Sequence, residues 1–204
     1  MLLKKNELLI CLQARGHRVD AAAVSQMDEE AGLAVKKHLQ ELKFLEQDPR
    51  NQESYRFSAY AQVLLDTIGK PEVWLEVSHL EKNIKRSLYL QDAYYVCVEE
   101  LGENVAVDLL PSLPVFIGGY ASMLKDLRNT DAEGEGTWDE KNQLITIGVH
   151  CADEQFLMEI DRQGITRQTG AEGVSFVRHS QESGTNAVTM WMLNALRQMK
   201  ERTA

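Results

Sequence analysis

Four apolar runs between residues 71 and 109 constrain the fold of this 204-residue chain more than any other feature of its sequence. They are rich in Val, Leu and Tyr, and they cover residues 73–77, 87–90, 93–99 and 105–109. Each connector between them is long enough for a hairpin but too short for a crossover helix. The sequence therefore predicts an antiparallel sheet in this part of the chain.

A similar order of elements follows residue 137. Alternating apolar residues predict four more short strands, at residues 144–150, 156–160, 164–169 and 174–179. An amphipathic helix is predicted after each set of strands, at residues 112–128 and 185–199. We interpret residues 71–204 as a pseudo-duplicated sheet-and-helix region with halves 71–130 and 137–204. Chance agreement is the alternative, because few residues are identical between the halves.

The first 70 residues have the pattern of a helical module. Apolar spacing predicts helices at residues 7–14, 20–30, 33–46 and 58–68. A turn is predicted at 47–51 and a short strand at 55–57. Three helices followed by a turn and an extended piece form the order of a winged helix, with residues 33–46 in the recognition position. The predicted fold is thus α+β, with a winged-helix-like module at residues 1–70 before the sheet region.

The net charge of −9 lies entirely after residue 70, because ten basic and ten acidic residues precede that point. An acidic surface repels phosphate backbones and favours a basic or apolar protein partner. The basic residues Lys36, Lys37 and Lys43 of the predicted recognition helix are interspersed with acidic ones. We therefore predict no nucleic-acid partner. A transcription regulator with an N-terminal winged helix and a C-terminal sensing region is the alternative function.

Sequence patterns for catalysis or cofactor binding give no positive signal. The chain has no glycine-rich phosphate loop, no serine nucleophile elbow and no histidine pair at metal-binding spacing. His150 and Cys151 are adjacent, but neighbours on a strand point to opposite faces, so we interpret them as a strand end. The three cysteines form no Cys-x-x-Cys pair and are predicted to be reduced. We expect no enzymatic activity, no cofactor and no metal site.

No apolar run approaches the roughly 18 residues that a membrane helix needs. The basic N-terminus leads into an interrupted, amphipathic segment rather than into an apolar signal core. We therefore expect a cytoplasmic protein without a membrane span.

One side of the predicted sheet mixes aromatic with polar side chains. Strand alternation places Trp74, Glu76 and Ser78 opposite the apolar residues of the same strand. The side of Trp74 is predicted to include also Tyr89, Tyr95, Cys97 and Glu99. Such a mixture is typical of a protein-binding surface. The alternative is that one of the two predicted helices, 112–128 or 185–199, packs over this side and makes it part of the core.

Two short segments and the order of parts point to a known family. The segments are Leu-Gln-Ala-Arg-Gly at residues 12–16 and Ile-Gly-Lys-Pro at residues 68–71, directly before the first predicted strand. Together with two strand-rich halves that each end in an amphipathic helix, they resemble the EspG-like secretion chaperones of the type VII (ESX) secretion system, including their shorter relatives in Firmicutes. The resemblance covers nearly the whole chain in layout, although the chain is shorter than the mycobacterial members.

The resemblance implies a cytoplasmic chaperone without catalysis, which keeps helical secretion substrates soluble and hands them to the secretion ATPase. In that family, sheet residues and an adjoining loop contact the substrate. Carried onto this sequence, the implied partner-binding residues are Trp74, Tyr89 and Tyr95, with His79, Lys82 and Ile84 from the connector at 78–86. An acidic chaperone of another secretion system is a third possibility, because it shares the charge and the small α/β build.

Overall fold

A nine-stranded antiparallel sheet forms the centre of the protein. The computed structural model describes residues 1–18, 29–113, 137–151, 154–162, 164–170, 173–178 and 181–203. The strands of this sheet are β1 (Leu2–Lys4), β4 (Val73–His79), β5 (Ile84–Gln91), β6 (Tyr94–Leu101), β7 (Asn104–Leu110), β8 (Gln143–Cys151), β9 (Glu154–Asp161), β10 (Ile165–Gly170) and β11 (Gly173–Arg178). A separate hairpin consists of β2 (Leu45–Asp48) and β3 (Asn51–Phe57). The described α-helices are α1 (Lys5–Ala14), α2 (Glu29–Glu41), α3 (Ala59–Gly69) and α4 (Gln181–Thr203), and a short 3-10 helix covers Glu140–Asn142.

The strands of the large sheet are arranged in the order β1-β7-β6-β5-β4-β8-β9-β10-β11, so the predicted antiparallel sheet and the α+β class are confirmed. The first strands of the two predicted halves, β4 and β8, pair with each other. Each half then extends away from this central pair as a meander of four strands. The pseudo-duplication stays a prediction, and its first helix, predicted at 112–128, lies outside the described residues from residue 114 onward.

The helical module differs from its predicted boundaries. The helix predicted at 33–46 is wrong at both ends, because α2 continues through Gly32 and ends at Glu41. Residues 45–48 form β2 instead, and with β3 they make a longer hairpin than the predicted turn and short strand. The helix predicted at 20–30 lies outside the described residues up to residue 28. The winged-helix interpretation stays a prediction.

A Schellman motif explains the early end of α2. Lys43 adopts a left-handed conformation with φ of 56°. Its N–H donates to the carbonyl of Gln40 (2.9 Å), and the N–H of Phe44 donates to the carbonyl of Leu39 (2.8 Å). This pair of hydrogen bonds satisfies the last carbonyls of a helix and turns the chain away from it. Phe44 then enters the core, where it is fully buried.

Two hydrophobic cores lie on opposite sides of the large sheet. On one side, α4 packs its apolar residues against β4, β8 and β9, through Val188, Met192, Ala195, Leu196 and Met199. On the other side, α1 and α3 pack against β6 and β7, and Leu64 and Leu65 contribute to the same core as Val96 and Val107. The helical module and the sheet therefore share one core, while the domain boundary near residue 70 stays a prediction.

Two glycines at helical positions are expected to respond oppositely to alanine. A Cβ on Gly69 would overlap the ring of His17, which is 8% exposed and donates a hydrogen bond from Nε2 to Asp66 Oδ1 (3.1 Å). The ring cannot move aside without losing that bond, so Gly69→Ala should lower the free energy of unfolding by about 1–3 kcal/mol. Urea denaturation of the purified variant measures this change.

Gly32→Ala is the matched control for this prediction. Gly32 lies inside α2, with no described atom within 4 Å of the Cβ that alanine would add. Because alanine favours a helix over glycine by up to about 1 kcal/mol, this variant should be slightly more stable than the parent. A Gly69→Ala protein as stable as the Gly32→Ala protein would contradict the packing of His17 against α3.

Candidate functional site

The register of the strands gives the sheet two distinct faces. Residues directly opposite each other on neighbouring strands share a face. Leu75 lies opposite Leu88, whereas Trp74 lies opposite Tyr89 on one side and His150 on the other. We call the two sides the Leu75 face and the Trp74 face. Since α4 packs on the Leu75 face, the C-terminal helix does not cover Trp74. The other helix considered for that role, 112–128, lies outside the described residues from residue 114.

The Trp74 face has a covered half and a partly exposed half. Over β5, β6 and β7, the helical module buries apolar side chains such as Val96 and Val107. Over β4, β8 and β9, the side chains on this face are partly or fully exposed. We call this half the Trp74 patch and define it by Trp74, Glu76, Ser78, Thr146, His150, Gln155 and Leu157. Its mixture of one large aromatic residue with polar ones makes it the candidate site.

Trp74 is held against the imidazole of His150. The two ring centroids are 4.9 Å apart and the rings are nearly parallel, with an interplanar angle of 7°. His150 Nε2 also lies 3.8 Å from a carboxylate oxygen of Glu76. Gly148 makes room for this arrangement, because a Cβ at that position would lie 2.5 Å from His150 Nε2. The imidazole therefore lies over a glycine on its own strand and beside the indole of the next strand.

A hollow of about 120 Å³ adjoins the imidazole. Its lining mixes charged, hydrogen-bonding and apolar side chains, contributed by Glu76, Lys85, Thr146, His150, Gln155 and Leu157. A space of this size admits one side chain of a partner and is much smaller than a typical small-molecule site of about 300 Å³ or more. The geometry suits contact with another protein surface.

The three predicted aromatic residues fall in different places. Trp74 lies in the Trp74 patch. Tyr89 shares its face but packs against the core under the helical module, and this burial raises the pKa of its phenol. The prediction that Tyr95, Cys97 and Glu99 share this face is wrong. On β6, the residue that lies opposite Tyr89 is Val96, so the preceding residue, Tyr95, points to the other face. Tyr95 lies opposite Leu90 and packs against the core on the side of α4. The partner-binding role of these aromatics stays a prediction.

The connector predicted at 78–86 is mostly strand. β4 extends to His79 and β5 begins at Ile84, and these two residues lie directly opposite each other. His79 is 2% exposed, and its Nδ1 accepts a hydrogen bond from the N–H of Lys82 (3.3 Å). Ile84 is packed against the α4 core. Only residues 80–83 form a true turn, in which Lys82 is exposed. Of these three predicted contacts, Lys82 is exposed, Ile84 is partly buried and His79 is buried.

Sequence reasoning missed His150, Gly148 and Gln155 as part of the site. The sequence predicts that His150 lies at a strand end, and β8 does end one residue later, at Cys151. The available signal was strand alternation, which places residues 146, 148 and 150 on one face. Pairing β8 with β4 then places that face beside Trp74, but only the folded register reveals this pairing.

His150 should titrate below the usual histidine range. Burial lowers the pKa of His150, while the Glu76 carboxylate acts in the opposite direction. The neutral imidazole therefore contributes its full share of stability above about pH 6.5, the pKa of histidine in the unfolded chain. This contribution is lost as the pH falls through the lower pKa that His150 has in the folded protein. Glu76→Gln should lower the His150 pKa further, as measured by NMR titration of the imidazole proton resonances. A midpoint that rises in Glu76→Gln would contradict this arrangement.

Two of the cysteines, Cys11 and Cys97, are poorly suited to nucleophilic chemistry. Burial raises the pKa of the Cys11 thiol to about 12 and that of Cys97 to about 11. A thiol must be ionised to act as a nucleophile, and these thiols are protonated at neutral pH. Within the described ranges, no three His, Cys, Asp or Glu side chains converge in a metal-binding arrangement.

Three basic side chains of α2 and the β2–β3 hairpin have partners within the protein. Lys37 lies 3.9 Å from Glu41, and Arg56 lies 2.8 Å from Glu46. Lys36 stands over the ring of Tyr55, 3.9 Å from its centroid. Because acidic partners reduce the positive potential of this surface, nothing in the described geometry favours DNA binding.

None of the helices in the described part of the chain combines the length and the hydropathy that a bilayer-spanning segment requires.

Comparison with known proteins identifies a shared fold. No family model and no curated protein sequence matches the chain. Among solved structures, the type VII secretion system chaperone EspG5 of Mycobacterium tuberculosis, in complex with the PE25–PPE41 dimer, is similar to this protein with a TM-score of 0.58. The sequence identity is 9%, and the similarity covers 91% of this chain and 92% of that chain. The chain therefore has an EspG-like fold.

Proposed function

We propose that this protein is a chaperone of a type VII-like secretion system, which binds helical secretion substrates and keeps them soluble for export. The observation that carries the proposal is the structural similarity to EspG5 over more than nine-tenths of both chains. A similarity confined to the sheet would be weak support, because sheets of this kind host many functions. Here the helical module and both halves of the sheet are included.

The Trp74 patch is the proposed contact surface for the substrate. Tryptophan is the residue most often found at the energetic centre of a protein interface, where its large apolar area is removed from water. Around it, Ser78, Thr146 and Gln155 offer hydrogen-bonding groups, as the rim of an interface does. These features support a protein partner in preference to a small molecule.

Charged pairs at the border of the Trp74 patch should affect the rate of association with the substrate more than the affinity. Arg167 lies 3.2 Å from Glu159 on the Trp74 face, and Lys85 lies 3.3 Å from Glu100. Surface ion pairs of this kind are typically worth about 0–1 kcal/mol, and their main effect is on the association rate and its salt dependence. The affinity should therefore depend chiefly on Trp74.

The proposed chaperone acts in the cytoplasm and carries out no reaction. Protonated thiols at Cys11 and Cys97 are consistent with a purely binding role. Transfer of the substrate to a secretion ATPase is part of the proposal, since a chaperone for export must release its cargo to the export machinery.

Co-purification tests the proposed function. The tagged protein is expressed in its native cell, isolated at moderate salt and examined by mass spectrometry, in parallel with Trp74→Ala and with Met190→Ala. Met190 is 55% exposed on α4, on the opposite side of the sheet, so its variant is a control for loss of an exposed apolar side chain. The proposal predicts a helical secretion substrate with the parent and the Met190 variant. Recovery of nucleic acid, or of no secretion substrate with any of the three proteins, would overturn it.

A further inference from the structure

Trp74 belongs to a row of side chains that crosses four strands. Each member of the row lies directly opposite the next one on the neighbouring strand. In order across the sheet, they are Tyr89 on β5, Trp74 on β4, His150 on β8 and Gln155 on β9. Directly opposite side chains on one face are in contact distance of each other. Trp74 therefore has a neighbour on each side, and its orientation depends on both.

The two neighbours differ in how they are themselves held. Tyr89 is packed against the core under the helical module. His150 is partly exposed, with 18% of its side chain accessible, and the feature that allows its position is the missing side chain at Gly148. Any Cβ there would lie 2.5 Å from Nε2 and would displace the imidazole from the indole. The orientation of the ring that stacks on Trp74 thus depends on a buried glycine two residues away.

We infer that His150, held over Gly148, is a positioning residue that fixes Trp74 in the orientation that binds the substrate. An indole held on both sides has already lost its rotamer freedom before the partner arrives. Ordering a side chain on binding typically lowers affinity by about 3- to 10-fold, and a preoriented tryptophan avoids that loss. This inference rests on the proposed function for its effect on affinity, whereas its effect on Trp74 can be measured in the free protein.

The Gly148→Ala variant separates the effect of His150 on the orientation of Trp74 from any direct contact with the substrate. Gly148 is buried, so a partner cannot reach it, but its alanine variant must move His150. Thr146→Ala is the matched control for the measurement on the free protein, because Thr146 lies on the same strand and face, two residues before Gly148. It is not a control for substrate binding, since Thr146 belongs to the Trp74 patch. His150→Phe keeps an aromatic ring beside the indole and should preserve the stack, whereas His150→Ala removes it.

The first measurement uses the free protein. Fluorotryptophan is incorporated, and fluorine NMR follows the Trp74 resonance, which is assigned by its absence in Trp74→Phe. Gly148→Ala and His150→Ala should both shift and narrow this resonance, because the indole loses its stacked neighbour and gains mobility. Thr146→Ala and His150→Phe should leave it near the parent position. An unchanged Trp74 resonance in both Gly148→Ala and His150→Ala would overturn the inference, whatever the partner is.

The second measurement uses the secretion substrate identified by co-purification. Gly148→Ala and His150→Ala should each weaken its binding by about 3- to 10-fold, with recovery in His150→Phe. If Trp74→Ala abolishes binding while Gly148→Ala and His150→Ala bind like the parent, the positioning role is wrong and the proposed function stands. If Trp74→Ala itself binds normally, the patch is not the contact surface and the proposed site fails. Should Gly148→Ala fail to fold, His150→Ala and His150→Phe decide the question alone.

Discussion

Trp74→Ala should weaken capture of the secretion substrate by at least about 30-fold while leaving the protein folded. Truncating an interfacial tryptophan commonly costs about 2 kcal/mol or more, because a large apolar area stays hydrated in the complex. The fold should survive, since Trp74 belongs to neither of the two cores and is partly exposed. The measurement is a binding titration with the purified substrate, together with a thermal denaturation of the variant.

Two further variants give this prediction its controls. Met190→Ala removes an exposed apolar side chain from the opposite side of the sheet and should bind like the parent. Tyr89→Ala should lower stability as well as binding, because Tyr89 is packed into the core under the helical module. Normal substrate binding by a folded Trp74→Ala protein would place the site elsewhere, and the exposed turn at 80–83 would then be tested through Lys82.

Leu64→Ala should destabilise the whole protein by about 2–5 kcal/mol. Leu64 lies on α3, is fully buried and belongs to the core that also contains Val96 and Val107 from the sheet. Loss of its side chain leaves a cavity between the helical module and the sheet, so both should unfold in one transition. Urea denaturation followed by far-ultraviolet circular dichroism and by tryptophan fluorescence measures this, because all three tryptophans lie after residue 70.

Leu33→Ala is the control within the same module. Leu33 lies on α2 and is 62% exposed, so its truncation should change the free energy of unfolding by no more than about 0.5 kcal/mol. If Leu64→Ala shifted the circular dichroism transition but left the fluorescence transition unchanged, the helical module would unfold independently of the sheet. That outcome would contradict the shared core and would support a domain boundary near residue 70.

Strand positions were predictable because strand signals are local. Alternating apolar residues indicated all eight strands from β4 to β11, and the short connectors indicated their antiparallel pairing. β1 was missed because it has three residues, of which only Leu3 is buried. It forms by pairing with β7, about 100 residues later, and no local pattern carries that information.

The site was only partly predictable because a face is defined by register. Trp74 and Tyr89 were assigned to one face correctly, since each could be placed by alternation within a short hairpin. The prediction for Tyr95 is wrong because the face of each residue on β6 depends on the register with β5. A shift of one residue in this register moves every side chain of the strand to the opposite face. His150 could not be placed beside Trp74, because the pairing of β8 with β4 joins residues about 75 positions apart.

The end of α2 shows a different limit. Leu39, Leu42 and Leu45 recur at three-residue steps, which predicts that a helix continues to residue 46. The left-handed conformation at Lys43 overrides this pattern, and lysine gives no warning of it as a glycine at that position would. The turn at Lys43 brings Phe44 into the core, where it is fully buried. Tertiary packing therefore overrides the helical spacing of the leucines.

Site-specific photocrosslinking in the native cell tests the central claim most directly. A photoreactive amino acid replaces Gln155, which is exposed beside His150 in the Trp74 patch, or Met190, which is exposed on α4 across the sheet. Neither substitution disturbs a core, and neither removes Trp74. The account predicts a covalent adduct with a helical secretion substrate from position 155 and none from position 190. An adduct from position 190 alone, or no secretion substrate at either position, would contradict it.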